Sequence, residues 1–189
     1  MIGGLVLAAG AATRFGAPKQ LAELDGAPLL QHAVAAMLAA RGIDRVVVVL
    51  GARAAAIRAV VDFAGAEVVE CDGWAEGMAA SLRAGVDALG GCEWVVVTLG
   101  DQPRMSPQAI TAVLRAAGPG VEAVRTTYDG RPGHPVALRG SLLPRVRELR
   151  GDVGARDLLD GIRVRTVEAG HLGRPGDVDT PEELEALRA

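Results

Sequence analysis

Aromatic residues are scarce, at 3% of the 189-residue chain: two Trp, one Tyr and two Phe. A stacking platform for single-stranded nucleic acid needs such rings, so that mode of recognition is excluded and the core must be built from Ala, Val, Leu and Ile. Cysteine is equally sparse. Cys71 and Cys92 form no C-x-x-C and have no accompanying His cluster, which argues against both a zinc site and a disulfide framework. The chain has no basic excess, with 20 Lys and Arg against 23 Asp and Glu and a net charge of −3. A broad nucleic-acid-binding surface needs the opposite balance. No apolar run approaches the roughly 20 residues of a membrane helix. The apolar N-terminal stretch lacks a preceding basic region and stops at Thr13-Arg14, unlike a secretory signal. These absences predict a soluble, cytoplasmic protein with neither nucleic acid nor membrane as partner.

Half of the residues are hydrophobic, enough at this length for one domain spanning 1–189. Apolar periodicity alternates between strand and helix. Strands are expected at Leu5–Leu7, Arg45–Leu50, Val68–Val69, Trp94–Leu99, Ala123–Thr127, Pro135–Leu138 and Val164–Val167. Helices are expected over Pro28–Ala40, Ala54–Val61, Gly77–Leu89, Pro107–Ala116, Leu142–Leu149 and Ala155–Leu159, with a last one starting at Thr180-Pro181-Glu182-Glu183. The unbroken Val46-Val47-Val48-Val49-Leu50 run is that of a strand covered on both faces. This βαβ alternation defines an α/β fold with a mainly parallel sheet.

The first strand breaks into Ala8-Ala9-Gly10-Ala11-Ala12-Thr13-Arg14-Phe15-Gly16-Ala17-Pro18-Lys19. Small residues leave backbone N–H groups open to a ligand, and two cations five positions apart suit a polyanion such as a nucleoside triphosphate. The spacing is not that of a Walker A loop, since five residues separate Gly10 from Gly16 and neither Lys-Ser nor Lys-Thr follows. Gly10-Ala11-Ala12-Thr13 also lacks the second glycine of the dinucleotide fingerprint.

Ligands of open parallel sheets collect outside the carboxyl ends of the strands. There Gly100-Asp101-Gln102-Pro103 follows the Trp94–Leu99 strand, so Asp101 can meet the Arg14/Lys19 loop from some eighty residues away. Asp101 reads either as a ligand for a hard cation or as a turn former. Asp177 and Asp179, before the last helix, carry the same two readings. Gly77 and Ser81 open a helix with small residues, where a base or sugar could lie near the backbone, or where they simply pack. Arg131-Pro132-Gly133-His134-Pro135 is expected as an ordered loop bordering an acceptor, with His134 either a donor to it or structural.

Taken together, these segments resemble the molybdenum-cofactor nucleotidyltransferases, and within them the molybdenum cofactor cytidylyltransferases. The family opening L-A-A-G-x-S-x-R-M-G-x-P-K-x-L is similar to Leu7 through Leu21, with Ala12 in place of Ser or Gly and Phe15 in place of Met. Trp74-Ala75-Glu76-Gly77-Met78 with Ser81-Leu82, Gly100-Asp101-Gln102-Pro103, Gly133-His134-Pro135, Gly151-Asp152-Val153-Gly154-Ala155-Arg156 and Asp177-Val178-Asp179-Thr180-Pro181 resemble its later motifs in order. The resemblance implies a Rossmann-like three-layer nucleotidyltransferase fold. It also implies CMP transfer from CTP to the terminal phosphate of molybdenum-bearing molybdopterin, with release of pyrophosphate and with Mg²⁺ as cofactor. Arg14, Lys19 and Asp101 are the implied catalytic residues, and Asp101 with Asp179 or Asp177 the implied metal ligands. Nucleotide contacts fall on Leu7, Ala8, Ala9, Gly10, Arg14, Lys19, Gly77, Ser81 and Gly100, and acceptor contacts on Arg131 and His134. Ala9-Gly10 and Gly100, where GTP-using relatives have Gly-Gly and Cys, imply a preference for CTP. A molybdenum hydroxylase apoenzyme or its chaperone is the implied partner. Two alternatives stand beside this: transfer to another phosphorylated acceptor, such as a sugar or isoprenoid precursor, and a non-catalytic accessory that delivers cofactor to a molybdenum hydroxylase.

Overall fold

The computed structural model describes residues 1–12 and 14–188, and for Arg156 and Asp157 the backbone alone. Thr13 and the Arg156 side chain, both within quoted motifs, therefore lie outside the described parts. In chain order the elements are β1 (Ile2–Ala8), β2 (Glu23–Leu24), β3 (Ala27–Pro28), α1 (Leu29–Ala39), β4 (Arg45–Leu50), α2 (Ala54–Arg58), β5 (Glu67–Glu70) and α3 (Met78–Ala88). There follow β6 (Trp94–Leu99), α4 (Pro107–Ala116), β7 (Ala123–Tyr128), β8 (Arg131–Arg139), α5 (Leu143–Glu148), α6 (Ala155–Leu158), β9 (Val164–Glu168) and α7 (Pro181–Arg188).

Seven strands form one sheet in the order β5-β4-β1-β6-β8-β7-β9. Its pairings are parallel except those of β8 with β6 and β7. Alternate side chains of β1 feed opposite faces. Leu5 joins Val47, Leu82, Val86 and Val97 in one core, and Val6 joins Leu30, Met37, Val48 and Ile110 in the other. Helices thus cover both faces, as the continuous valine runs of β4 and β6 require. At Gly4 a Cβ would lie 2.6 Å from the Met37 sulfur, so α1 packs against bare backbone there. Among the described residues no helix is long and apolar enough to cross a membrane.

One expectation is overturned here. Arg131–His134 is not a loop but the first half of β8, paired with β7 across a tight turn at Asp129-Gly130. Both turn residues have positive φ, 51° and 75°, the geometry that Asp-Gly favours in a two-residue hairpin. The same turn recurs at Asp25-Gly26 between β2 and β3, which periodicity did not reveal. The helix expected over Ala54–Val61 ends earlier, at Arg58. The final helix start is as expected: Glu183 N–H donates to Thr180 Oγ1 at 3.3 Å, and the Glu183 carboxylate accepts from Thr180 N–H at 3.0 Å, a capping box.

A third, smaller core lies apart from the other two. Leu24, Leu29, Val178 and Leu184 pack with Phe15, Ala22 and Leu187. It fastens α7 and the segment before it to the β2–β3 hairpin and to the loop that follows β1.

Candidate nucleotide site

Strands β1 and β6 are neighbours, so their carboxyl ends deliver the Arg14/Lys19 loop and Asp101 to one place. Gly100 N–H donates to Leu7 O at 2.8 Å, and a Cβ on Gly100 would come within 2.8 Å of Ala8 Cβ and Leu30 Cδ1. Only a glycine lets the β6 exit lie this close to β1. The loop itself is held by Gln20, which donates its amide hydrogens to Ala8 O at 3.1 Å and Gly10 O at 2.9 Å. With those carbonyls engaged on the protein side, the small side chains leave the other side of the backbone open. The result is a cavity of about 590 Å³ bounded by Leu7 to Ala12, Arg14, Lys19, Gln20, Trp74, Ala75, Gly77, Met78, Ser81, Leu99, Gly100, Asp101, Asp152 and Asp179.

Its charged end is a cluster of four side chains. Lys19 Nζ lies 2.6 Å from Asp101 Oδ2 and 2.8 Å from Asp179 Oδ1, and Arg14 Nη2 lies 2.6 Å from Asp179 Oδ2. Burial pulls the Lys19 ammonium down, yet Asp101 and Asp179 outweigh it and hold its pKa above the ordinary value. Asp101 is pushed up by burial, with Lys19 pulling against it. Asp179 is held low, chiefly by its hydrogen bond from Lys19. One oxygen, Asp101 Oδ1, is buried with no hydrogen-bond partner, which costs free energy unless something else takes it up.

The opposite wall is the start of α3. Gly77 has φ +123°, and a Cβ there would lie 2.6 Å from the Gly151 backbone. Segment 151–152 closes on this helix end, where Ala79 N–H donates to Gly151 O at 3.2 Å and Met78 N–H to Asp152 Oδ1 at 3.3 Å. Ser81 is 6% exposed and faces the cavity.

The nine positions expected to contact nucleotide all line this cavity. Asp179 joins Asp101 through Lys19, whereas Asp177 is exposed, stands outside the lining and accepts a hydrogen bond from Gln102 Nε2 at 2.6 Å. His134 and Arg131 are also outside the lining, both on β8. Burial drops the His134 pKa to about 4, with Asp177 opposing, so the ring is neutral. Gln20, Trp74, Met78 and Asp152 line the cavity without having been singled out. Trp74, Met78 and Asp152 fall inside motifs of the resemblance; Gln20 had no signal of its own.

A mostly parallel sheet covered by helices, with a bare, cation-bearing loop and a carboxylate at the ends of two adjacent strands, defines a nucleotide-binding protein of the doubly wound class. Residues 4–168 match the model of the MobA-like NTP transferase domain, and the chain belongs to that family of nucleotidyltransferases. It is 34% identical over 194 residues to nicotine blue oxidoreductase of Paenarthrobacter nicotinovorans, covering 97% of this chain and 95% of that protein. It is 29% identical over 199 residues to a 2-C-methyl-D-erythritol 4-phosphate cytidylyltransferase of Cereibacter sphaeroides, covering 98% and 82%. Among solved structures, Rv0371c of Mycobacterium tuberculosis H37Rv superposes with a TM-score of 0.87 at 31% identity, covering 98% of this chain and 96% of that one. A complex of Rv0371c with manganese gives 0.84 at 29% identity, covering 98% and 97%. Asp179 and α7 lie beyond the family-matched span.

Proposed function

We propose that this protein transfers CMP from CTP to the terminal phosphate of molybdenum-bearing molybdopterin. An acceptor phosphate oxygen bonds to the α-phosphorus as the bond to the bridging oxygen of the β-phosphate breaks, and pyrophosphate departs with that oxygen. The observation that carries the reading is the largely buried Lys19 ammonium at the foot of the bare loop, between Asp101 and Asp179. The acceptor phosphate is already an anion and needs no strong base. What the chain must supply is alignment and positive charge where negative charge grows. Lys19 acts at the α-phosphate and the more exposed Arg14 at the departing pyrophosphate. Ala8, Ala9 and Gly10, with Leu7 and Gly100 packed beside them, face Gly77 and Ser81 as the walls of a pocket that we assign to the pyrimidine. Arg131 and His134 are assigned to the acceptor side.

A divalent cation fits the residues present. Asp101 Oδ1 is buried without a partner, and carboxylate oxygens suit Mg²⁺ or Mn²⁺, which Mg²⁺-type sites often bind with only one or two protein carboxylates plus substrate phosphates. Asp101 and Asp179 would hold it, with Asp177 the more distant choice. Held there, such an ion would supply Lewis-acid stabilisation of the charge on the phosphates. The likeness to a cytidylyltransferase supports CTP, and the manganese complex of Rv0371c supports a divalent ion. A molybdenum hydroxylase apoenzyme or its chaperone would receive the product.

The name of the Paenarthrobacter relative favours a second reading, an oxidoreductase. The loop departs from the dinucleotide fingerprint, which weighs toward transfer. Incubating the purified protein with molybdopterin acceptor, Mg²⁺ and an equal mixture of CTP and GTP, with products resolved by mass spectrometry, tests both. The expected result is a cytidylyl product with pyrophosphate. Equal guanylyl and cytidylyl yields overturn the assignment, as does an acceptor that is modified only when NADH or NADPH is supplied.

A further inference from the structure

Each member of the charged cluster already has its partner inside the chain. Asp179 holds Arg14 on one oxygen and Lys19 on the other, and Lys19 also holds Asp101 Oδ2. The formal charges of these four side chains cancel. Lys19 stands between the two carboxylates that a divalent cation would share, and its side chain is only 13% exposed, so it is not a loose surface pair that water screens away. A metal ion arriving alone meets carboxylates that Lys19 and Arg14 together already neutralise. A triphosphate arriving alone meets a lysine already engaged by two carboxylates.

We propose that Lys19 is the resident cation of the ligand-free site and that metal and triphosphate each favour the other's entry, because each takes over one side of the Lys19 ion pairs. The metal replaces the ammonium on Asp101 and Asp179, and the phosphates replace the carboxylates on the ammonium. After the exchange the ammonium and both carboxylates each have a partner of opposite charge, whereas metal alone leaves the displaced lysine without a counter-anion, and triphosphate alone takes from Asp101 its cation while Asp179 keeps only Arg14. Asp101 Oδ1, buried and free of hydrogen bonds, is the oxygen on which the incoming ion can gain a foothold before Lys19 has moved. The inference rests on the nucleotidyltransferase reading and adds to it a coupling between two ligands, which must be reciprocal.

The test uses Mn²⁺ as probe, with free ion counted by electron paramagnetic resonance, and α,β-methylene-CTP as an unreactive triphosphate. Lys19→Met should bind Mn²⁺ alone about tenfold tighter than the wild type, a factor typical of coupled sites, and Lys19→Arg, which keeps the cation, should not. The analogue should tighten Mn²⁺ binding to the wild type strongly and to Lys19→Met little. A Lys19→Met protein that binds Mn²⁺ no better than wild type overturns the proposal. Should that variant fold poorly, the wild type alone decides by the ¹⁵N resonance of Lys19 Nζ. Mg²⁺ by itself should leave the resonance in place, and Mg²⁺ with the analogue should move it. A resonance displaced by Mg²⁺ alone, or unmoved in the ternary complex, contradicts the exchange. None of these measurements uses acceptor or turnover, so wild type that forms cytidylyl product while Lys19→Met shows unchanged Mn²⁺ affinity sinks this inference alone. Absence of product with the Mn²⁺ gain intact sinks only the choice of reaction.

Discussion

The carboxylate of Glu183 accepts the backbone N–H of Asp179 at 2.6 Å and that of Thr180 at 3.0 Å, so the cap of α7 also sets where a cavity carboxylate stands. Glu183→Ala should therefore cost about 0.5–2 kcal/mol, the usual worth of a cap, and in addition weaken Mn²⁺ binding in the presence of triphosphate. Glu183→Gln, able to accept the same N–H groups, should recover much of both. Urea denaturation and Mn²⁺ titration measure the two effects; a variant that loses stability but keeps full metal affinity would show that the cap does not position Asp179.

Asp101→Asn should fold and lose about a hundredfold or more in turnover, the scale for removing one charge-stabilising contact from such a site. Lys19→Ala is expected to lower chiefly the single-turnover rate, and Arg14→Ala also to weaken triphosphate binding, because the first meets charge that develops and the second charge already present. Wild-type pyrophosphate release by Asp101→Asn across a magnesium titration would leave Asp101 as a turn residue.

At Gly77 the demand is on the backbone. Gly77→Ala forces a side chain into φ +123° with its Cβ 2.6 Å from the Gly151 backbone, and should destabilise by about 1–3 kcal/mol. The wall formed by segment 151–152 must shift with it. Chemical denaturation gives the first quantity, and the affinity for CTP, expected to fall, gives the second.

Glu168 makes a prediction in acid. Its carboxylate accepts from Thr127 Oγ1 at 2.7 Å and from the N–H groups of Gly170 at 2.9 Å, Asp129 at 3.0 Å and Gly130 at 3.3 Å, pinning the β7–β8 turn. Led by the Thr127 contact, these bonds hold its pKa down at about 2, below its ordinary 4.5. A depressed folded pKa contributes stability above the unfolded value, lost as pH falls from about 4.5 to about 2. The stability gap between wild type and Glu168→Gln should be full at pH 7 and close over that window; a gap unchanged at pH 2 rules the linkage out.

His134 titrates in the same sense for another reason. Burial lowers its pKa from 6.5 to about 4, with Asp177 pulling the other way. The neutral ring thus contributes stability above 6.5, and the contribution disappears as pH falls from 6.5 to about 4. Its ring carbons should show an NMR midpoint near 4, and a midpoint near 6.5 would place the ring in water.

What the sequence made legible follows from what leaves a pattern. The valine runs of β4 and β6 are buried on both faces, and their apolar continuity marks them residue for residue, at Arg45–Leu50 and Trp94–Leu99. The meeting of Lys19 with Asp101 across 82 residues was readable because a parallel sheet sends both to one edge. The β7–β8 hairpin hid behind Pro132 and Gly133, which break alternation even though Asp129-Gly130 carries a hairpin signal. Gln20 and Asp152 act through isolated hydrogen bonds with backbone groups, and such contacts impose no period on the chain.

The small core of Phe15, Val178 and Leu184 explains why residue 15, where the resembling family has Met, tolerates a larger ring. It faces α7, not the cavity, for it is absent from the lining. Its size is thus a matter between the opening loop and the last helix. A chimera that imports the loop from a relative should carry residues 177–188 from the same donor, since mismatched halves would meet at Phe15 and misplace Asp179 without altering any residue of the charged cluster.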